Sequence, residues 1–423
     1  MENGMASYPL SSDFLSSGFF SPEVISEIPE MTSWRRHLHQ HPELSFQEKE
    51  TTEYIIKILE TIPGIEIRRP AKTGCIAVLR GTAPETGEEK SADAVGATAR
   101  KAPRRILLRA DIDALPIQEE NDLPYRSVCS GVMHACGHDG HTAMLLAAAK
   151  LLSAHRDHLR GEVHFLFQHA EELPPGGAAE LEKLGIMSGI DELYGLHLSS
   201  NFPTGSFGVR AGALTSATDR FDIRIIGKGG HSAFPETVVD PIVIAGQVIT
   251  AFQTIVSRRI RAVEPVVVSI CQMQAGSAYN IIPGEVTLTG STRTFSDKTR
   301  TALPAIMEQI LKGLCDSAGA SYEFTFSKGY ASVINDRSLT DHCREEISTW
   351  FGSSAVLDID PLMPGEDYSA LQTHCPGFFV ELGARSEEKG ITAPHHNSRY
   401  LLDEDALAYG LQYWVRLVQD RLQ

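Results

Sequence analysis

The segment of residues 133–142 combines one thiol with three imidazoles. Cys136 and His138 lie two positions apart, and His141 follows three positions later. Thiolate and imidazole groups suit zinc and the neighbouring first-row transition metals. The apolar residues 143–149 predict a buried helix, so the metal-type donors are expected on the loop that opens it. For this segment alone, a polar loop without a metal is the alternative.

Carboxylates follow two predicted buried strands. Asp111 and Asp113 come after the apolar strand 106–108, and Glu171 and Glu172 come after a second such strand. In α/β sheets, active sites lie at the carboxyl ends of the strands. Two adjacent carboxylates at a buried strand end must be protonated, hydrogen-bonded or metal-bound. For the aspartates, a capped strand end is the alternative.

Two further imidazoles extend this set of donors. His197 follows a third predicted buried strand, and His396 lies beside His395 in a late loop. The donors are too many for one tetrahedral zinc but suit two metal ions about 3.5–4 Å apart. One glutamate can bind metal while its neighbour acts as a base on activated water, which predicts hydrolysis at a carbonyl carbon. With Asp113 in support, the donors are Cys136, His138, Glu171, Glu172, His197 and His396.

Three blocks of the chain differ in their patterns of apolar residues. Residues 1–205 alternate helices with buried strands, which predicts a mostly parallel α/β sheet. Residues 206–321 contain half-exposed alternating strands and two amphipathic helices, which predicts a smaller α+β domain inserted into the first. Residues 322–423 return to the α/β type. A length of 423 residues also favours two domains.

Local signals predict the connections. Residues 1–30 are expected to be a loosely ordered lead-in, followed by a helix over residues 31–41. Ser45 and Glu48 have the spacing of a capping box that opens the next helix. Residues 83–104 are expected to form an exposed loop. The histidines of the first helix are expected on the surface or at a domain contact: His37, His39 and His41.

Composition narrows the class of protein. A hydrophobic content of 42% with 22% charged residues is typical of a globular protein. The net charge of −16 argues against nucleic acid or an anionic membrane as a partner. No run of 18 apolar residues predicts a membrane span, and the N-terminus is a poor signal peptide. The seven scattered cysteines fit a reducing compartment, so a cytoplasmic location is expected.

Seven motifs occur in an order that matches a known family. They are Arg-Ala-Asp-Ile-Asp-Ala-Leu-Pro, Met-His-Ala-Cys-Gly-His-Asp-Gly-His-Thr, Ala-Glu-Glu, Gly-Leu-His, Gly-Lys-Gly-Gly-His-Ser-Ala, Asn-Ile-Ile-Pro and Gly-Glu-Asp-Tyr-Ser. From about residue 31 to 420, the chain resembles the amidohydrolase branch of the aminoacylase/carboxypeptidase metallopeptidase family. That branch includes hippurate hydrolases, N-acyl-amino-acid amidohydrolases and IAA-amino acid hydrolases of plants.

The resemblance implies roles for individual residues. It implies two divalent metal ions per subunit, with zinc, manganese, cobalt or nickel left open, and Glu171 as the general base. It also implies that the inserted domain is a lid or dimerisation domain in a homodimer or a higher homo-oligomer. That domain would supply His231 to the reaction, and Asn280 and Arg293 to bind the substrate carboxylate. The implied metal ligands are Cys136, His138, Glu172, His197 and His396.

The leading hypothesis is hydrolysis of small N-acyl amino acids, and three alternatives stay open. The first is a dipeptidase or aminopeptidase on the same scaffold. The second is a thiol hydrolase with Cys136 as nucleophile and His138 or His141 as base. That alternative leaves Glu171, Glu172 and the later histidines unexplained. The third is a non-catalytic relative used for binding.

Overall fold

A computed structural model describes residues 20–84 and 103–423, which divide into two compact units. The larger unit extends to Gly212 and includes Ile334–Asp360 and Ala370–Gln423, and the smaller unit comprises Ala213–Val333 and Pro361–Ser369. Most of the predicted loop 83–104 and residues 1–19 of the predicted lead-in lie outside the described residues. The lid or dimerisation role of the inserted part stays a prediction.

Eight strands of the larger unit form one sheet with both parallel and antiparallel neighbours. They are β1 (Ile65–Arg68), β2 (Cys75–Arg80), β3 (Arg105–Asp111), β4 (Glu162–Gln168), β5 (Glu192–Pro203), β6 (Phe207–Val209), β15 (Val356–Asp358) and β16 (Gly377–Arg385). Across the sheet their order is β1-β2-β4-β3-β5-β16-β6-β15. The central strands β4, β3, β5 and β16 run parallel. They are buried along most of their length, as strands covered on both faces are.

Helices cover this sheet. The helix α3 (His138–Ala154) is buried along almost its whole length and packs against α1 (Pro22–Gln40) and α9 (Asp405–Leu422). A helix that is apolar on every side is typical of a core position. Short 3₁₀ turns occur at Arg156–His158 and Ser353–Ala355. The helices of this unit are α1 (Pro22–Gln40), α2 (Lys49–Leu59), α3 (His138–Ala154), α4 (Gly177–Lys183), α7 (Arg337–Phe351) and α9 (Asp405–Leu422).

The first helix begins earlier than predicted. The loose lead-in is wrong for residues 22–30, because Ser21 accepts a hydrogen bond from the Val24 N–H and Pro22 occupies the first helical position. That combination is a strong helix start. Its apolar side chains, Val24 and Ile28 among them, are buried in the core of the larger unit.

Ser45 and Glu48 do not form the predicted capping box. Glu48 is the N-cap of α2, but its side chain makes no capping hydrogen bond. Ser45 Oγ instead donates to Asp113 Oδ2 at 2.7 Å. The prediction was wrong because tertiary contacts, rather than the helix terminus, engage both side chains.

The smaller unit is an antiparallel sheet with two helices. Its strands are β8 (Ala217–Ile226), β10 (Val266–Ala275), β12 (Glu285–Thr294) and β13 (Ser321–Lys328), in the order β10-β12-β8-β13. The helices are α5 (Pro241–Thr254), which Asp240 caps, and α6 (Asp297–Ala318). A second sheet pairs β9 (Gly230–His231) with β11 (Ile281–Ile282). A 3₁₀ turn at Pro235–Thr237 and a π turn at Ile255–Arg259 complete the unit.

The short elements β7 (Gly212–Ala213), β14 (Ile334–Asn335) and α8 (Tyr368–Leu371) lie where the chain passes from one unit to the other. The predicted fold class, an α/β sheet with a smaller α+β part, is confirmed. Among the described residues, no helix combines the length and the apolar character that crossing a membrane requires.

Candidate metal centre

Loops and strands of the larger unit bring the predicted donors together. Gly137, with a φ of 90°, turns the chain between Cys136 and the first residue of α3, His138. The ligand-type atoms of Cys136, His138 and His197 lie within 4.8 Å of one another. Two further groups meet the same limit: Cys136, Glu172 and His396, and also His138, Glu171 and Glu172. Together the three groups contain all six predicted donors.

Two of the histidines direct Nε2 toward this centre. His138 Nδ1 donates to the carbonyl of Asp113 at 2.9 Å, and His197 Nδ1 donates to the carbonyl of Leu198 at 2.8 Å. A carbonyl only accepts, so Nδ1 carries a proton in each ring, and Nε2 is the nitrogen left for a metal ion. Metal-binding histidines are commonly oriented in this way by a second hydrogen bond.

The neighbouring histidines have both ring nitrogens engaged. His141 Nε2 accepts from the Leu198 N–H at 2.8 Å, so its Nδ1 donates to Asp111 at 2.6 Å. His395 Nε2 accepts from the Ser200 N–H at 3.0 Å, and its Nδ1 lies 3.8 Å from Cys136 Sγ. Of the adjacent pair, therefore, His396 is the one whose Nε2 faces Glu172 Oε1, at 3.3 Å.

The donor set fits a divalent cation. His138 Nε2, Glu172 Oε1 and Asp113 Oδ1 are buried and make no hydrogen bond of good geometry; their nearest polar neighbours are other side chains of the centre at 3.3 Å or more, which is costly unless an ion satisfies them. Cys136 Sγ lies 3.5 Å from His197 Nε2. Two ligands on one tetrahedral zinc are about 3.4–3.6 Å apart, given the usual zinc–ligand lengths. The distance between Cys136 Sγ and His197 Nε2 therefore suits two ligands of one ion.

The pKa shifts of Cys136 and His138 also indicate a site for a cation. Burial raises the pKa of the Cys136 thiol, and Glu172 and Glu171 raise it further. Burial alone would lower the pKa of His138, but Asp111 and Asp113 outweigh it and raise that pKa to about 10. The centre thus concentrates negative charge that a cation would neutralise.

The sequence predicted a third strand that ends at His197, but the strand continues past this residue. β5 continues to Pro203, and its pairing with β16 covers His197. The prediction was wrong because the apolar run ends at residue 196 while the pairing with β16 continues. The pairing of β5 with β3 ends earlier, at Arg109 opposite Gly195, so His197 lies beyond the part of β5 that pairs with β3.

Asp113 connects three parts of the centre. Its Oδ2 accepts from Ser45 Oγ and from the backbone N–H of Glu172 at 3.0 Å. Its Oδ1 lies 3.3 Å from His138 Nδ1. These contacts fit the supporting role predicted for it.

Sequence reasoning missed a second buried cluster, formed around Asp139. Its Oδ2 lies 2.8 Å from both Arg35 Nε and His39 Nδ1. His39 Nε2 lies 3.2 Å from Glu119. The surface or domain-contact prediction for His39 was wrong, because this side chain is fully buried. Two features of the sequence could have indicated this cluster. Arg35 and His39 have the i, i+4 spacing that places them on one face of a helix, and Asp139 lies at the start of an apolar helix, where a buried carboxylate needs a partner.

The three other predicted site residues belong to the smaller unit. His231 is exposed in β9, and Asn280 is exposed before β11. Arg293 lies in β12 on the half-exposed face that alternates with buried residues. Their roles in the reaction stay predictions.

The model of peptidase family M20/M25/M40 matches residues 107–420 of the chain, and that span contains all six donors. The chain belongs to this family. Its members are hydrolases, so this M20-family chain is an enzyme that acts on amide bonds, as the sequence predicted.

Curated relatives of this M20-family chain cover most of its length. It is 49% identical to an N-acyl-L-amino acid amidohydrolase of Geobacillus stearothermophilus over 72% of this chain and 78% of the relative. It is 36% identical to an IAA-amino acid hydrolase of Arabidopsis thaliana over 90% of this chain and 84% of the relative.

Solved structures agree with the sequence relatives. A dinuclear metal binding peptidase of the M20 family from Bacillus subtilis is 36% identical, with a TM-score of 0.78 over 94% of this chain and 98% of that chain. The resemblance to the amidohydrolase branch is thereby confirmed.

Proposed function

We propose that this enzyme cleaves the amide bond of N-acyl amino acids and releases a carboxylic acid and a free amino acid. The convergence of six donors, with unpaired buried atoms on His138 and Glu172, carries this proposal. Two of the named relatives support it, since their names say that they act on N-acyl-L-amino acids and on IAA-amino acids.

Two divalent metal ions would be held by five residues, and zinc, manganese, cobalt and nickel all suit the mixed sulfur, nitrogen and oxygen donors. When bound, the ions supply Lewis acidity that polarises the substrate carbonyl and lowers the pKa of water. Cys136 binds as the thiolate, so its proton is released on binding. The proposed ligands are Cys136, His138, Glu172, His197 and His396.

Glu171 is the proposed general base. It is 7% exposed and follows β4 directly beside Glu172. Its carboxylate takes a proton from the attacking water as the oxygen adds to the carbonyl carbon. The same carboxyl then returns the proton to the amide nitrogen, the C–N bond breaks, and the amine leaves.

The smaller unit is proposed to bind the substrate carboxylate through Asn280 and Arg293, because a guanidinium holds a carboxylate with two parallel hydrogen bonds. Replacing Arg293 by Ala should then impair turnover of N-acyl amino acids far more than turnover of their amides. Equal losses on both substrates would remove this role.

A homodimer in which His231 stabilises the oxyanion across the interface is also proposed. The edge strand β10 is exposed from residue 271 to 275, and α5 exposes Ile242 and Val243, as self-pairing surfaces do. Re-dimerised mixtures of His231→Ala and Glu171→Gln should recover activity at one site per dimer. Mixtures without recovery would contradict action across the interface.

A reducing location, such as the cytoplasm, is proposed for this enzyme. All seven cysteines are free thiols, and Cys136 would lose its proposed ligand role if it were oxidised. Cys136 should therefore react with a thiol reagent once metal-free protein purified from its native cells is unfolded. A disulfide at Cys136 in that material would contradict the proposal.

A substrate panel tests the activity itself. The panel contains hippurate, N-acetyl amino acids, indole-3-acetyl amino acids and, as the matched control, dipeptides with a free α-amino group. We expect hydrolysis of acylated amino acids that stops with a chelator and returns with added metal. Preferred cleavage of the dipeptides would favour the peptidase alternative instead, and chelator-resistant activity would contradict both.

A further inference from the structure

Left-handed backbone conformations occur beside the metal centre. Among the described residues, three that are not glycine have a positive φ: Phe46 at 64°, Ala170 at 51° and His396 at 62°. This conformation is unfavourable for residues that carry a Cβ and persists where the surroundings enforce it. Ala170 immediately precedes Glu171, the proposed base.

A single carboxylate oxygen holds two of these three residues. The N–H of Ala170 donates to Glu48 Oε1 at 2.8 Å, and the N–H of Phe46 donates to the same oxygen at 2.9 Å. The other oxygen, Oε2, accepts from Thr73 Oγ1 at 3.0 Å. Glu48 is fully buried, so water does not compete for these bonds.

The peptide of Ala170 is fixed on its other side as well. Its carbonyl accepts from the Gly177 N–H at 2.9 Å. A Cβ at Gly177 would lie 2.0 Å from the carbonyl oxygen of His169, so this close approach requires glycine. Hydrogen bonds to both its N–H and its carbonyl therefore fix the Ala170 turn. This turn sets the direction in which the side chains of Glu171 and Glu172 project.

We infer that Glu48 is a positioning residue that holds Ala170 in the left-handed conformation and thereby aims Glu171 and Glu172. Glu48 is not one of the proposed metal ligands or substrate-binding residues. The inference rests on the proposed function for the roles of the two glutamates, whereas the contacts of Glu48 do not depend on it.

Two substitutions of Glu48 test the aim of the glutamates. Glu48→Ala should lower kcat about tenfold to a hundredfold with little change in KM, the usual result of a small misplacement of reacting groups. Glu48→Gln should stay close to wild type, because its amide oxygen can accept both N–H groups. Equal losses in the two variants would contradict the inference.

Glycine substitutions separate positioning from general stabilisation. In the Glu48→Ala background, Ala170→Gly should recover most of the lost kcat, because glycine adopts the left-handed conformation without a penalty. Phe46→Gly is the matched control, since it relieves the same strain on the same oxygen away from Glu171, and it should recover nothing. Recovery by both or by neither would overturn the inference.

Zinc affinity gives a readout that needs no substrate. Chelator competition should show zinc binding about tenfold to a hundredfold weaker in Glu48→Ala, as for other residues that orient a ligand, and restored by Ala170→Gly. This result separates failure of the inference from failure of the proposed activity. If Glu48→Ala does not fold, Glu48→Asp withdraws the carboxylate and carries the same comparisons, and unchanged affinity in it would overturn the inference.

Discussion

His138 and Asp139 are neighbours in α3, yet they enter two buried clusters of opposite character. Asp139 faces Arg35 and His39, and these cations outweigh burial and hold the pKa of its carboxyl far below the ordinary value. His138 faces carboxylates, and its Nε2 makes no hydrogen bond and lies 3.6 Å from Asp111 Oδ2. One cluster has compensated its charge with its own side chains, whereas the other has not.

The difference shows which buried charges indicate function. Both clusters are buried and rich in histidine and carboxylate, so burial and residue type do not separate them. The separating feature is how the polar atoms are arranged. The ligand-type atoms of Cys136, His138 and His197 converge within 4.8 Å of one another, as around a metal ion, whereas Asp139 is already paired with the guanidinium of Arg35 at 2.8 Å. The Asp139 cluster is therefore expected to stabilise the fold, and the His138 cluster to bind and react.

The largest expected effect is on catalysis at the uncompensated cluster. Glu171→Gln should lower kcat about a hundredfold to ten-thousandfold while metal content is retained, because the amide cannot take the proton from water. Steady-state kinetics and metal analysis of the same preparation check this. If Glu171→Gln loses metal and Glu172→Gln keeps it, the roles of the two glutamates are reversed.

The compensated cluster should respond in stability. Asp139→Asn leaves the buried Arg35 without its closest carboxylate, and breaking a buried ion pair from one side typically costs about 3–5 kcal/mol. Urea unfolding of the metal-free protein measures this loss. Glu171→Gln is the control and should leave the unfolding midpoint nearly unchanged. Equal shifts in the two variants would erase the distinction between the clusters.

A smaller effect concerns pH. Burial and Arg35 lower the pKa of His39, but Asp139 and Glu119 outweigh them and raise it above 6.5. Protonated His39 therefore stabilises the fold below the unfolded pKa, and this contribution is lost as the pH rises through the folded pKa. The difference in unfolding free energy between wild type and His39→Gln should be larger at pH 6 than at pH 9. A difference that does not change with pH would contradict the charged state of His39.

The structure brings the predicted donors together because the strand ends and the start of one helix that carry them meet in the larger unit. Sequence reasoning recovered the fold class because apolar runs and alternating runs differ between the two parts of the chain. It did not recover the pairing of His39 with Asp139 or the use of Glu48 by Ala170. Those contacts join residues 100 and 122 positions apart. In the local sequence, His39 fits a polar helix face and Glu48 fits a capping box, so the sequence predicted those features instead.

The left-handed conformation of Ala170 had no sequence signal, because alanine does not mark such positions as glycine does. The extension of β5 beyond His197 depended on its partner β16, whose position in the sheet is a property of the fold. Tertiary pairing, rather than local propensity, decided both features.

Titration of metal-free protein with zinc tests the central claim most directly. Calorimetry counts the bound ions, and hydrolysis of the best N-acyl amino acid is followed along the same titration. The account predicts two ions per chain, with activity rising as they bind, and fewer ions with little activity in Cys136→Ser, because a serine hydroxyl stays protonated and binds weakly. Two ions and full turnover in Cys136→Ser, or activity without metal in the wild type, would contradict it.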